Sequence, residues 1–261
     1  MGGDQTQPTS AGTSDEKRKP SVFWVLAAIV LPIFGLFARV EIRGAEKLPR
    51  TGPFVLAVNH HSEIDPLVVA LAVWRIGRAP RFMAKESLFR VPVLGWALRA
   101  TGMIPVARAT TVAAARETIT QSRLLVEHGR GVIVYPEGTL TRDPDLWPMR
   151  GKSGAVRLAM SGKIPLIPMA QWGAQELLPR YGKLRLWPLR KRMTVLLGDP
   201  VDVSEFVRTR SQPATIAQAT TKTMNAIAEL LAQLRGIPAP PERWDPVAHG
   251  QRETGRLDSE T

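Results

Sequence analysis

Short apolar runs alternate with longer stretches of helical periodicity over most of this chain, and no other feature narrows its possible folds so far. The runs Val40–Arg43, Phe54–Val58, Arg81–Ala84, Met103–Val106, Gly131–Tyr135, Leu166–Ala170 and Met193–Leu197 have the length and composition of strands. Pro66–Trp74, Pro92–Ala100, Val112–Glu127, Ala155–Met160 and Ala214–Leu234 carry helical spacing. Strands and helices in alternation predict an α/β sheet. At 261 residues the chain can bury such a core without disulfides or a structural metal. It has no Cys, which excludes disulfides, thiolate-ligated zinc, iron–sulfur centres and a cysteine nucleophile, and four His leave little for a metal cage.

Residues 1–19 are polar, end in Lys17-Arg18-Lys19 and are too poor in apolar side chains to build a core, so a disordered tail is expected there. Residues 20–38 then run without a charge through Phe23, Trp24, Leu26, Ile29, Leu31, Phe34 and Phe37. As a helix they would reach roughly 28 Å, just under the hydrocarbon thickness of a bilayer. A signal peptide would end in a small-residue cleavage site, whereas this run enters Arg39, Arg43, Lys47 and Arg50. Basic flanks, with Pro32 and Gly35 interrupting the run, predict a membrane-associating segment, either interfacial or crossing; a buried core helix is the plain structural alternative. One domain over 39–235 follows, and then a loose C-terminal tail over 236–261, where Pro238, Pro240 and Pro241 lead into polar residues.

The polar clusters fall where α/β folds place ligands, just past the ends of strands. Phe54–Val58 runs directly into Asn59-His60-His61-Ser62-Glu63-Ile64-Asp65-Pro66. Asp65 and Pro66 read as the N-cap and first residue of the next helix, since Asp accepts a bond from an orphan amide and Pro has no amide to leave unpaired. His60 and Asp65 then share one short loop, close enough for the carboxylate to hold the imidazole in one tautomer as a general base. Spacing alone equally allows Asp65 or Ser62 to act only as a cap and His60 to be an ordinary loop histidine, and it leaves the direction of His61 open. No Gly-x-Ser-x-Gly nucleophile accompanies the pair, and Gly151-Lys152-Ser153 lacks the upstream Gly of a phosphate-binding loop, that position being Leu146. What remains for such a pair is activation of water or of a substrate hydroxyl. Past a second apolar run stand Glu137 and Gly138, an acid at the ligand edge beside a residue that lets the backbone turn or approach a substrate, though a capping turn explains them too. Arg108, beyond a third, has the planar fork that suits a phosphate, and a surface Arg fits the same spacing.

Taken in order the segments are more specific than any one of them. They are Asn59-His60-x-Ser62-x-x-Asp65-Pro66, Lys85-Glu86-Ser87-Leu88-Phe89, Gly102-x-Ile104-Pro105-Val106-x-Arg108, Pro136-Glu137-Gly138-Thr139, Lys152-x-Gly154 and Ile164-Pro165-Leu166-Ile167-Pro168. From about Val40 to Leu197 this order closely resembles the glycerophospholipid acyltransferase family, His60-x4-Asp65 followed by Glu137-Gly138-Thr139 being its most specific part. The resemblance implies a mixed, largely parallel central sheet flanked by helices. It also implies a membrane-surface enzyme that moves a fatty acyl chain from an acyl-CoA or acyl carrier protein thioester onto a free glycerol hydroxyl. With a 1-acylglycerol-3-phosphate acceptor that hydroxyl is sn-2 and the product phosphatidate; another lysophospholipid or a glycolipid acceptor fits the same motifs. Carried over by position, His60 is the base and Asp65 its orienting partner. Arg108 binds the acceptor's phosphate, Glu137, Gly138 and Thr139 shape the acceptor site with Lys152, and the prolines around Ile167 close the pocket. The family often has Arg after Glu-Gly-Thr, where this chain has Leu140 and supplies Arg142 two residues on. No metal and no cofactor beyond the thioester co-substrate is implied.

A net charge of +12 asks for an anionic partner. Arg180, Lys183, Arg185, Arg190, Lys191 and Arg192 crowd one stretch with Tyr181 and Trp187 and no acid, as expected for docking on an anionic membrane surface; a solvated basic loop is the alternative. The expected location is the cytoplasmic face of the cell membrane, peripheral or monotopic. Nucleic acid is the rival partner, but there is no reader motif and it would leave the histidine cluster and the apolar segment unexplained. A non-catalytic basic protein bound to membrane or nucleic acid is the reading from a different class, and the intact His60 and Asp65 argue against it.

Overall fold

The computed structural model describes residues 22–106, 112–207, 209–210 and 212–253, so the tail expected over 1–19 and the expected phosphate ligand Arg108 lie outside the described residues. The uncharged run forms helix α1 (Val22–Phe37), which passes without a loop into strand β1 (Ala38–Arg43). Chain order continues with β2 (Phe54–Val58), α2 (Asp65–Ile76), β3 (Met83–Lys85), α3 (Leu94–Ala100), β4 (Ile104–Val106), α4 (Val112–Glu127), β5 (Gly131–Val134), α5 (Gly154–Gly162), β6 (Leu166–Trp172), α6 (Ala174–Leu177), β7 (Lys191–Leu197) and α7 (Pro213–Arg235). Each apolar run read from the sequence is a strand, with ends within two residues of those expected.

The central sheet has the order β1-β7-β6-β2-β5 and is parallel at every step except β6 to β7, while β3 and β4 pair in a small parallel sheet bridged to β5 through Phe82 and Ile133. Parallel strands covered on both faces must be apolar on both faces, and β2 is buried along its whole length. Its two-residue period feeds two helical layers. Phe54, Leu56 and Val58 pack with Ile133, Ile167, Met169 and the α2 residues Val68, Val69, Ala72 and Val73. Val55 and Ala57 face the other way, onto Leu158 and Ala159 of α5 and Ile216 and Ile227 of α7. Each fully buried aliphatic or Phe side chain stabilises the fold by about 1.5–3 kcal/mol. Gly131 is required by this packing, because a Cβ there would stand 2.0 Å from the Phe54 ring.

Helix α1 presents apolar residues in two directions. Phe23 packs with Trp74 and Ala79, and Phe34 joins the main core, whereas Trp24, Val25, Ile29, Ile33 and Leu36 are exposed. Among the described residues no helix is long and apolar enough to cross a membrane. At the other end, residues 237–253 were expected to be loose. They form no helix or strand, yet the Arg150 amide donates to Trp244 O at 2.9 Å, Arg150 pairs with Asp245 at 3.1 Å, and Ala239 packs against the cluster of Trp147, Leu230 and Leu231. A few contacts from scattered residues hold this segment, and composition does not reveal them.

Candidate active site

The sheet itself brings the two expected loops together. β2 and β5 are parallel neighbours with Ala57 opposite Val134, so residues 59–65 and 135–142 leave the sheet side by side at one edge. β6 flanks β2 on its other side, Val58 opposite Met169, and carries Gln171 and the α6 residue Gln175 to the same edge.

His60 Nδ1 lies 2.9 Å from Asp65 Oδ2. A carboxylate can only accept, so Nδ1 carries the proton and Nε2 keeps its lone pair. The same Oδ2 accepts the amides of His61 at 2.7 Å and Ser62 at 2.8 Å. This corrects the expectation that Asp65 caps the helix. Ile64 is the N-cap, Asp65 is the first helical residue, and its side chain turns back because the loop offers three donors in the other direction. Burial opposes ionisation of Asp65, but the His61 and His60 rings and the Ser62 amide outweigh it and hold the carboxyl below its ordinary range. The His60 side chain is 17% exposed while that of Asp65 is fully buried, so the outer ring edge alone meets solvent. Tyr135 stacks on the ring, centroids 4.1 Å apart and planes 21° apart.

Glu137 sits beneath this pair. Its Oε1 accepts the His60 amide at 2.8 Å and its Oε2 the Met149 amide at 3.1 Å, while the Thr141 amide donates to His60 O at 2.6 Å. Burial pushes the Glu137 carboxyl up to about 8, against the pull of those amides. Expected to shape the acceptor site, this acid clamps the backbone of His60 to the second loop. Gly138 is exposed with φ +70°, a left-handed turn that glycine adopts without strain, and the Lys152 side chain lies over it: a Cβ at 138 would be 3.5 Å from Nζ. The exposed Lys152 and the half-buried Thr139 therefore stand at the rim of the 135–142 loop.

Other expected residues lie elsewhere. Arg142 is buried at 2% exposure, in a loop that Thr141 Oγ ties down by donating to Trp147 O at 2.5 Å. Pro165 and Pro168 do not close the site. Pro165 O accepts the Val55 amide at the opposite edge of the sheet, and Pro168 stands opposite Ala57 inside it. Arg180 and Lys191 are not free docking cations: Arg180 donates to Thr141 O and Asp143 O, and Lys191 is buried with Nζ on Trp187 O.

Sequence reasoning missed the group behind the pair. His61 is fully buried, with Nδ1 accepting from Asn59 Nδ2 at 3.0 Å and Nε2 donating to Gln175 Oε1 at 2.9 Å. Burial keeps it below the ordinary histidine range despite the nearby Asp65. Asn59 also extends the ladder to β6, accepting the Gln171 amide at 2.9 Å and donating to Gln171 O at 3.1 Å. The only sequence signal was Asn59 itself at the end of an apolar strand.

Residues 39–172, which contain both loops and the strands that carry them, match the family model described as Acyltransferase. The chain belongs to the acyltransferase family. It is 30% identical over 144 residues to the chloroplastic 1-acyl-sn-glycerol-3-phosphate acyltransferase BAT2 of Brassica napus, covering 55% of this chain and 40% of that protein. With the 1-acyl-sn-glycerol-3-phosphate acyltransferase of Bacillus subtilis (strain 168) it shares 29% identity over 204 residues, 77% of this chain and 94% of the other. The chain thus spans about two fifths of the plant relative, and nearly all of the bacterial one. The crystal structure of the 1-acyl-sn-glycerophosphate acyltransferase PlsC from Thermotoga maritima shares the fold, with a TM-score of 0.53, 24% identity and coverage of 80% of this acyltransferase and 75% of that chain.

Proposed function

We propose that this acyltransferase moves a fatty acyl chain from an acyl thioester to the sn-2 hydroxyl of 1-acylglycerol-3-phosphate, forming phosphatidate. The observation that carries the reading is His60 itself, its Nδ1 held by Asp65 Oδ2 so that Nε2 keeps its lone pair, while the Ser62 hydroxyl beside it is turned away onto Leu178 O. His60 Nε2 takes the proton of the acceptor hydroxyl as its oxygen attacks the thioester carbonyl. The tetrahedral adduct collapses with cleavage of the C–S bond, and the thiolate recovers the proton from the imidazolium. Asp65 stabilises the transient imidazolium and fixes its tautomer. Lys152 at the rim and Arg108 are the cations assigned to the acceptor's phosphate, and no cofactor beyond coenzyme A or acyl carrier protein is required by these steps.

A membrane surface suits the same arrangement. Leu184, Leu186, Trp187 and Leu189 are exposed among exposed Lys183, Arg185 and Arg190, and this loop is tied to the catalytic edge by Ser62 Oγ donating to Leu178 O at 2.6 Å and the Tyr181 amide donating to Glu63 at 3.0 Å. It returns to Lys191, which stands opposite Ala38 directly after α1. The outward face of α1 and this loop supply apolar and basic contact to an anionic leaflet, at its cytoplasmic side, in the plane of the interface. The test is product analysis with acyl-CoA and acyl carrier protein thioesters against a panel of lysolipids on anionic vesicles. Phosphatidate as the preferred product supports the assignment; preference for another lysophospholipid or a glycolipid moves it to that acceptor, and no acyl transfer to any acceptor refutes it.

A further inference from the structure

The catalytic histidine is the first member of an aromatic column. The His60 ring stacks on Tyr135, and Tyr135 stacks in turn on Phe82, with centroids 6.1 Å and planes 12° apart. The backbone fixes the column: Tyr135 is the first residue after β5, next to the strand end that delivers His60, and Phe82 is bridged to Ile133 two residues before Tyr135. The ring of Tyr135 packs against the main core, and its hydroxyl is buried with no hydrogen-bond partner among the described residues. An unsatisfied buried hydroxyl costs about 1–3 kcal/mol. Stability alone therefore favours Phe here, and the feature that serves His60 is the ring face.

We propose that Tyr135 is a positioning residue for acyl transfer, its ring face fixing the plane of His60 and stabilising the imidazolium that forms when His60 takes the acceptor's proton. The inference rests on the reading of His60 as the base. The His60 ring has two in-plane nitrogens, one spent on Asp65 and one left for substrate, so rotation about its side-chain bonds is limited only by that hydrogen bond and by what covers its faces. An aromatic face against a cation contributes most when water is excluded, and the His60 side chain stacked on Tyr135 is only 17% exposed. Transfer charges the ring only transiently, so the benefit falls on the chemical step rather than on binding.

The test compares Tyr135→Phe, Tyr135→Leu and Tyr135→Met with His60→Ala in the full chain. Tyr135→Phe should keep kcat within about twofold and unfold no earlier than wild type. Tyr135→Leu and Tyr135→Met should lower kcat about 5- to 30-fold, the size of one desolvated cation–π contact, with KM for both substrates within about twofold. In the unmodified protein, the His60 ring-carbon proton resonance, identified by its loss in His60→Ala, should lie upfield of a free histidine because of the facing ring; this readout does not depend on any Tyr135 variant folding. A large loss of kcat in Tyr135→Phe would assign the effect to the hydroxyl and overturn the proposal, as would wild-type kcat in Tyr135→Leu or an unshifted resonance. Activity surviving in His60→Ala would instead refute the reading on which it rests.

Discussion

Replacing Asp65 by Asn removes a charge while keeping nearly every contact. Oδ2 takes all three hydrogen bonds, from His60 Nδ1 and the amides of His61 and Ser62, so an amide oxygen there serves them equally well. Oδ1 accepts none among the described residues, with His61 Nε2 4.0 Å away, and that is where the new NH2 would stand. What disappears is the anion beside the imidazolium. Unit charges about 4 Å apart interact by about 4 kcal/mol at an effective dielectric near 20, which corresponds to roughly a thousandfold in rate. Asp65→Asn should therefore lower kcat by ~10²–10³ with KM little changed and the unfolding midpoint near wild type. Asp65→Ala should differ in kind, because it strands three N–H donors at about 1–3 kcal/mol each and so unfolds the protein at lower temperature. The assay is thiol release from acyl-CoA in the presence of lysophosphatidate, run beside thermal unfolding. A folded Asp65→Asn protein with wild-type kcat, or one that loses activity only in step with stability, would refute the electrostatic role.

Glu137 ties pH to stability. Its carboxyl is held near 8 in the fold against an ordinary 4.5, so between those values the folded chain keeps a proton that the unfolded chain releases, and stability falls as pH rises through the window. Glu137→Gln should flatten that slope, read as urea midpoints at pH 5 and 8; an unchanged slope contradicts the assignment. Arg108→Ala should raise KM for lysophosphatidate steeply, with Arg108→Lys a partial rescue and the thioester constant nearly unmoved, since Lys lacks the bidentate fork; a change confined to the donor removes Arg108 from the phosphate site. Replacing Leu184 and Trp187 by Ser should weaken sedimentation with anionic vesicles while kcat on detergent-dispersed acceptor stays near wild type, and undiminished binding would place attachment elsewhere.

The parts of the site that were legible in the sequence are those carried on a single strand end. His60 and Asp65 stand five residues apart after an apolar run, and the parallel pairing of β2 with β5 makes Glu137 their neighbour as soon as the sheet forms. Side-chain direction was not legible. The residue pair Asp65-Pro66 reads as a helix cap whether the carboxylate points forward or, as it does, back; and neither His61 nor Arg142 gives a sign in the sequence that it is buried. Gln175 lies on a helix of four residues, too short for periodicity to mark, and reaches His61 across 114 positions of chain. Tyr135 reads as the last residue of a strand, and only the tertiary structure turns its ring against His60.

The most direct test supplies the purified full chain with 1-acylglycerol-3-phosphate and an acyl thioester labelled in its acyl carbonyl, on anionic vesicles, and follows free thiol and labelled phosphatidate together for wild type and His60→Ala. The account predicts one phosphatidate, acylated at sn-2, for each thiol released by the wild-type protein, and a loss of ~10²–10⁴ in His60→Ala without loss of fold. Phosphatidate formed at the wild-type rate by folded His60→Ala, or thiol released without an sn-2 ester, would contradict it.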